Sequence, residues 1–226
     1  MFQNQKVTAI LLAGGSGTRF GSEKNKVYEM IQGKSILQYS LDVFENSSYV
    51  DEVVLVVREG EEPLAEQLTH HKPFVMVTGG DTRQASVYRG LLAAGGEIVL
   101  IHDGARPVVR EAYVRKCVEA MEHYAGATMA VRSKDTVKLG DDQDVVLGTT
   151  RRTHTWMVQT PQCFRRQILT KAHETYGERP EITDDCMLLE FAQESVKLLE
   201  GDYTNVKVTT VEDLDLATLF LTKQRS

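Results

Sequence analysis

Cysteine is scarce in this chain of 226 residues. Cys117, Cys163 and Cys186 are odd in number and far apart, which argues against a disulfide framework or a zinc site and fits reduced thiols used for packing. No apolar stretch approaches the roughly 18 residues that a membrane-spanning helix needs, and Met1-Phe2-Gln3-Asn4-Gln5-Lys6 holds no apolar leader core. A soluble, cytoplasmic protein without a membrane partner is expected. Positive charge is also in short supply: 26 Lys and Arg against 32 Asp and Glu leave a formal net charge of -6. That balance excludes a general nucleic-acid binder, so cations gathered at a few positions mark a local anion site. Internal repeats and low-complexity segments are missing too.

What is present is apolar surface in an α/β rhythm. With 42% hydrophobic residues the chain can bury a full core as one α/β unit over residues 1–226. Short β-branched runs predict strands near 7–12, 52–57, 74–77, 98–102 and 127–132. Between them, helical spacing puts Ile36, Leu37, Leu41 and Phe44 on one face, then Ala85, Val87, Leu91 and Leu92, then Tyr113, Val114, Cys117 and Met121. The expected fold is α/β, a Rossmann-like doubly wound and mostly parallel sheet. After Arg132 the regularity breaks. Lys134 to Leu139 alternates polar and apolar residues, Gly140-Asp141-Asp142-Gln143-Asp144 turns the chain, and Val145 to Thr150 returns, which predicts a projecting β-arm over about 133–155. Its apolar face is covered either by its own domain or by a second subunit, and the arm's length favours a homodimer. A strand from Met157, helices near 165–176 and 184–193, a strand at 196–199 and a last helix at 211–222 follow, the last capped by Thr209 or Thr210.

The chemistry begins at Ala13-Gly14-Gly15-Ser16-Gly17-Thr18-Arg19-Phe20, directly after the first strand. Glycines at 14, 15 and 17 permit φ > 0 and bring backbone N–H groups to an anion, while Arg19 and Lys26 supply charge-assisted hydrogen bonds. No GxxxxGK followed by Ser or Thr is present, so a P-loop is excluded. The dinucleotide fingerprint fails as well, because Phe20 stands at the third glycine and the second strand ends in Arg58 instead of an acid.

Two further strand ends carry polar strings. Ile101-His102-Asp103-Gly104-Ala105-Arg106-Pro107 brings Asp103 to the rim where ligands bind in open parallel sheets. Its carboxylate either caps the next turn or holds Mg²⁺ shared with substrate phosphates, and the nearby glycine loop favours the metal. His102 reads as structural. Gly79-Gly80-Asp81-Thr82-Arg83-Gln84-Ala85-Ser86 offers close approach at Gly80, an N-cap at Asp81, and a Ser86 hydroxyl within reach of a ribose or base.

These strings, with Lys134–Lys138, Thr160-Pro161-Gln162, Thr183-Asp184-Asp185 and the run Gly201 to Thr210, resemble the cytidylyltransferases that act on polyol phosphates. The likeness is greatest to the methylerythritol-phosphate cytidylyltransferases of the non-mevalonate isoprenoid pathway. The resemblance implies transfer of CMP from CTP to 2-C-methyl-D-erythritol 4-phosphate, with release of pyrophosphate and with Mg²⁺ as cofactor. It implies Arg19, Lys26, Arg152 and Lys207 as the catalytic cations, the first pair on the triphosphate and the second on the acceptor phosphate. Ala13, Gly14, Gly15, Gly80, Asp81, Ser86 and Gly104 are implied at the nucleotide, and Asp103, Arg106, Thr136 and Thr160 at the acceptor, with Asp103 also near the metal. Arg152 is matched by its spacing to Trp156, and Arg151 stands where the family often has an acid. The nearest rival is ribitol-5-phosphate cytidylyltransferase, whose Pro-Lys-Gln-Phe and His-Asp-Ser-Val-Arg-Pro differ from Asn25-Lys26-Val27-Tyr28 and His102-Asp103-Gly104-Ala105-Arg106-Pro107. A regulator that binds nucleotide without turnover needs the phosphate loop but not the acceptor cations.

Overall fold

The computed structural model describes residues 1–14 and 25–225. In chain order the elements are β1 (Val7–Leu12), β2 (Met30–Ile31), β3 (Lys34–Ser35), α1 (Ile36–Asn46), β4 (Glu52–Val57), α2 (Glu62–Ala65), β5 (Phe74–Thr78), α3 (Arg83–Ala93), β6 (Ile98–Asp103) and α4 (Glu111–Ala120). They continue with β7 (Gly126–Arg132), β8 (Lys138–Gly140), β9 (Val146–Thr149), β10 (Trp156–Arg165), α5 (Arg166–Tyr176), α6 (Asp185–Phe191), β11 (Val196–Glu200) and α7 (Val211–Arg225).

Seven strands form one sheet in the order β11-β7-β10-β6-β1-β4-β5. All neighbours run parallel except β10, which is antiparallel to both β6 and β7. The central strands are apolar on both faces because both faces are covered. Ala9, Leu11, Val53, Leu55 and Leu100 pack with Leu37, Leu41 and Phe44 of α1 and Tyr113 and Cys117 of α4. The alternate residues Ile10, Val54, Val56, Val99 and Ile101 meet Val87 and Leu91 of α3, Leu169 of α5 and Leu188 of α6 on the other side. Each fully buried Leu, Ile or Phe contributes roughly 1.5–3 kcal/mol. The free thiols of Cys117, Cys163 and Cys186 are buried, and burial pushes all three pKa values up, so they act as small core residues.

Two local expectations are corrected. On α3 the buried face is Ser86, Val87, Gly90 and Leu91, and Leu92 points to solvent, because Ala85 and Leu92 lie well over a right angle from Val87 around a helix of 3.6 residues per turn. The helix is capped by Thr82, whose side chain accepts from the Ala85 N–H at 3.0 Å, and Asp81 lies one residue before that cap. Thr210 precedes α7, and Asp213 accepts from the N–H groups of Thr209 and Thr210, each at 2.9 Å.

β8 and β9 form a separate two-stranded antiparallel hairpin between β7 and β10. Its strands are shorter than the alternation in the sequence predicts. Leu139, Val145, Val146 and Leu147 on this arm are exposed, Leu147 at 70%.

Candidate functional site

Backbone hydrogen bonds bind three of the loops picked out in the sequence to neighbouring strand ends at one rim of the sheet. The Ala13 N–H donates to Val56 O at 2.8 Å, Gly79 N–H to Val57 O at 2.7 Å, and Gly104 N–H to Leu12 O at 2.9 Å. Leu12 and Asp103 are register partners, so the end of β1 and the carboxylate of β6 lie side by side. Gly15, Arg19 and the rest of the glycine string to Lys24 lie outside the described residues. Gly14 departs from the expectation: its φ is not in the left-handed region, and a Cβ there would meet nothing nearer than 3.6 Å. Tight packing enforces glycine at the other two loops instead. A Cβ would fall 2.5 Å from the Ala85 Cβ at Gly80, and 2.7 Å from Leu37 Cδ1 and 3.0 Å from Leu12 O at Gly104.

Asp103 is the electrostatic centre of this rim. Its Oδ2 accepts from Lys207 Nζ at 2.8 Å, Arg83 Nε lies 3.6 Å from Oδ1, and Arg106 Nε lies 3.9 Å from Oδ2. Burial pushes its carboxyl upward, but Arg83, Lys207 and Arg106 together outweigh burial and hold it well below the usual carboxylate range. These neighbours favour the ionised carboxylate at neutral pH.

The surrounding backbone fixes this carboxylate. The Asp103 N–H donates to Thr160 Oγ1 at 3.1 Å, Thr160 Oγ1 lies 3.0 Å from His102 Nδ1, and His102 Nε2 lies 3.3 Å from Arg106 O. Burial pushes His102 down to about 3, so the neutral ring carries one N–H. With Nε2–H donating to Arg106 O, Nδ1 is left to accept from the Thr160 hydroxyl. Lys207 is delivered by the loop after β11. Asn205 Nδ2 donates to Thr160 O at 2.9 Å, Arg106 Nη1 donates to Asn205 O at 2.8 Å, and Val208 N–H donates to Ala105 O at 2.8 Å.

Arg83 and Asp185 carry no assigned role in the sequence reading, yet the fold joins them. Arg83 Nη2 pairs with Asp185 Oδ2 at 2.8 Å, and His173 Nε2 lies 3.5 Å from Asp185 Oδ1. Asp185 is wholly buried, and burial pushes its carboxyl up while Arg83 and His173 bring it below its ordinary value. The signal in the sequence is the doublet Asp184-Asp185. Asp184 alone caps α6, accepting from the Met187 N–H at 3.1 Å, which leaves Asp185 for another partner. A cavity of about 600 Å³ opens from Arg83, Asp103, Arg106 and Lys207 past Thr160 toward α6.

The rim therefore assembles Asp103, Gly104, Arg106, Thr160 and Lys207, flanked by Ala13, Gly14 and Gly80. Ser86 is buried, and its hydroxyl both accepts from the Gly80 N–H at 3.1 Å and donates to Gly80 O at 3.2 Å, so it shapes that loop from inside. Asp81 is exposed beside it. Lys26 opens a short 3-10 turn, Lys26–Tyr28. Thr136 and Arg152 are exposed on the arm, and among the described residues no hydrogen bond or ion pair joins either to Asp103 or Lys207 of the same chain. No group of three or more His, Cys, Asp or Glu able to hold a metal occurs among the described residues. No helix among them is long and apolar enough to cross a membrane. A cation-rich rim with one ionised carboxylate suits binding and alignment of anions.

The family model for 2-C-methyl-D-erythritol 4-phosphate cytidylyltransferase (IspD) matches residues 7–223. Relatives carrying that name include one from Caldanaerobacter subterraneus subsp. tengcongensis, 40% identical over 96% of this chain and 99% of its own. Another, from Desulforamulus reducens, is 41% identical over 96% and 97%. Among solved structures, the 4-diphosphocytidyl-2C-methyl-D-erythritol synthase of Anaerococcus prevotii superposes with a TM-score of 0.87 at 33% identity, covering 96% of this chain and 99% of that one. The 2-C-methyl-D-erythritol 4-phosphate cytidylyltransferase of Thermus thermophilus gives 0.78 at 30% identity over 95% and 98%.

Proposed function

Since this chain belongs to the 2-C-methyl-D-erythritol 4-phosphate cytidylyltransferase family, we infer that it transfers CMP from CTP to 2-C-methyl-D-erythritol 4-phosphate in isoprenoid biosynthesis. An oxygen of the acceptor phosphate attacks the α-phosphorus of CTP and forms the new P–O bond. The bond to the oxygen bridging the α- and β-phosphates breaks, and pyrophosphate leaves with that electron pair. The acceptor phosphate is already anionic, so the protein needs neither a nucleophile nor a base of its own. What it must do is align two mutually repelling anions and offset the charge that grows as the bridge breaks.

The residues divide that work. Arg19 and Lys26 take the triphosphate, beside the Ala13, Gly14 and Gly15 backbone. Gly80, Asp81, Ser86 and Gly104 surround the cytidine. Lys207, Arg106 and Thr160 form the acceptor side with Asp103, and Thr136 and Arg152 reach that side from the arm of a second copy in a homodimer. The observation that carries this reading is the Asp103–Lys207 pair at 2.8 Å, at the rim where β1 and β6 end. It holds a cation ready at the rim without another anion present.

Mg²⁺ fits this site as a metal shared with substrate. Such an ion needs only one or two protein carboxylates when phosphates and water fill its shell, and Asp103 supplies one. When bound, the ion neutralises phosphate charge. Arg83, Arg106 and Lys207 orient the carboxylate that would hold it.

Pyrophosphate release tests the whole reading, with CTP or UTP against methylerythritol phosphate or ribitol phosphate, with and without Mg²⁺. Turnover is expected with CTP, methylerythritol phosphate and Mg²⁺ together. Lys26→Met should lose about a hundredfold or more in kcat with an unchanged circular dichroism spectrum. Preference for ribitol phosphate, or full turnover in that variant, would overturn it.

A further inference from the structure

The cation assigned to the triphosphate, Lys26, follows a side chain that takes no part in the transfer but makes contacts on three sides. Asn25 is buried. Its Nδ2 amide donates to the carbonyl of Ala13, the residue that follows β1, and to Glu61 Oε2 at 2.9 Å. Its Oδ1 accepts from the Val27 N–H at 3.3 Å, and its carbonyl accepts from the Tyr28 N–H at 3.0 Å, which starts the turn that begins at Lys26. Both anchors are themselves tied to the end of β4. Ala13 N–H donates to Val56 O at 2.8 Å, and Glu61 N–H donates to Arg58 O at 3.0 Å just past β4.

Two acceptors face one end of this amide and a backbone N–H faces the other, so a single amide orientation satisfies all three, and only asparagine among residues of this size can do so. We propose that Asn25 is a positioning residue that staples the chain returning to Lys26 onto the carbonyl leaving β1, with Glu61 as the second anchor. The staple sets the distance between Lys26 and the Gly14 backbone before nucleotide arrives. Fixing Lys26 beside the end of β1 in this way costs conformational entropy that CTP would otherwise have to supply on binding. The proposal rests on the assignment of Lys26 to CTP.

Asn25→Asp separates the staple from the cap. The introduced aspartate still accepts from the Val27 N–H, so the turn keeps its start, but it cannot donate to Ala13 O and it sets a second carboxylate against Glu61. We expect kcat/KM for CTP, and CTP affinity by calorimetry, to fall about tenfold or more, while the KM of the acceptor moves less than about twofold. Adding Glu61→Gln should recover only the part of the loss that comes from the two facing carboxylates, because the new amide donates to the introduced carboxylate while Ala13 O still lacks its donor. Should the aspartate variant not fold, Asn25→Ala removes the donors without adding charge and should show a smaller loss confined to CTP. Wild-type CTP parameters in the folded variant, equal losses on both substrates, or full recovery in the double variant would each overturn the proposal. If the unaltered protein bound CTP but released no pyrophosphate, the transferase reading would fail while the calorimetry still tested the staple.

Discussion

Arg83→Met removes the guanidinium that bridges two carboxylates, Asp103 at the rim and Asp185 beneath it. Methionine fills similar volume, so the loss is one of charge. Asp185 is wholly buried, and stripping one partner from a buried pair costs about 3–5 kcal/mol because the other charge is left without its counter-ion. For a chain of this size each kcal/mol lowers Tm by about 2–4 °C, so the variant should melt about 6–20 °C below the parent. The pH dependence gives a sharper test. In the parent, Asp185 sits below its ordinary value of 3.8, so its stabilisation is complete above that value and is lost as pH falls through the folded pKa. In the variant, burial is opposed only by His173 and the carboxyl moves above its ordinary value, so the penalty is largest at neutral pH and fades on acidification. The gap in Tm between parent and variant should therefore narrow from about pH 7.5 to about pH 5 by differential scanning calorimetry. Arg83→Met with Asp185→Leu should regain most of the stability without regaining activity, since Asp103 still lacks one of the three cations that flank it. A gap under about 3 °C at neutral pH, one that widens on acidification, or a double variant no more stable than the single would refute the reasoning.

Two other perturbations read different parts of the site. His102 is buried and neutral with its pKa pushed down to about 3 from 6.5, so its contribution is complete above 6.5 and is lost progressively as pH falls toward 3. His102→Gln should flatten urea-unfolding stability across that window, and an unchanged slope would show that another group titrates there. On the arm, Leu147→Asp places a charge on its most exposed leucine; sedimentation is expected to show a dimer for the parent and a monomer for the variant, and the acceptor's KM should rise with CTP affinity unmoved. A parent that sediments as a monomer, or a variant that remains dimeric, would count against cross-subunit delivery of Thr136 and Arg152.

The parallel strands were readable because residues such as Val53 to Val57 are buried on both faces, which leaves an apolar run that few other elements produce. Helix faces were readable where spacing was strict, as in α1, and less so in α3, where Leu92 is apolar but points outward. The two-residue strands β2 and β3 carry too little sequence to show a period, although Gln32 and Gly33 both take positive φ between them. At the site, residues with an isolated charge at a strand end, such as Asp103, stand out in a linear reading. Arg83 and Asp185 do not, because each begins a helix where a charged residue has an ordinary explanation, and only the fold makes them a pair. Asn25 escaped for a similar reason: next to Lys26 it reads as a turn residue, and its partner Glu61 lies past β4.

One reversal in the sheet governs how the arm is attached. Because β10 runs against its neighbours, the chain leaves β7 at the same rim where it re-enters through Trp156. The excursion from 133 to 155 is thus a round trip that needs no crossover beneath the sheet. Residues can be added to or removed from its tip without moving either strand, whereas a parallel β10 would have made every change of length there a change in the core. The reach of the arm and the stability of the sheet are separable, joined at the base of the arm, where the Ser133 N–H donates to Thr155 O at 2.9 Å and Arg132 faces Trp156.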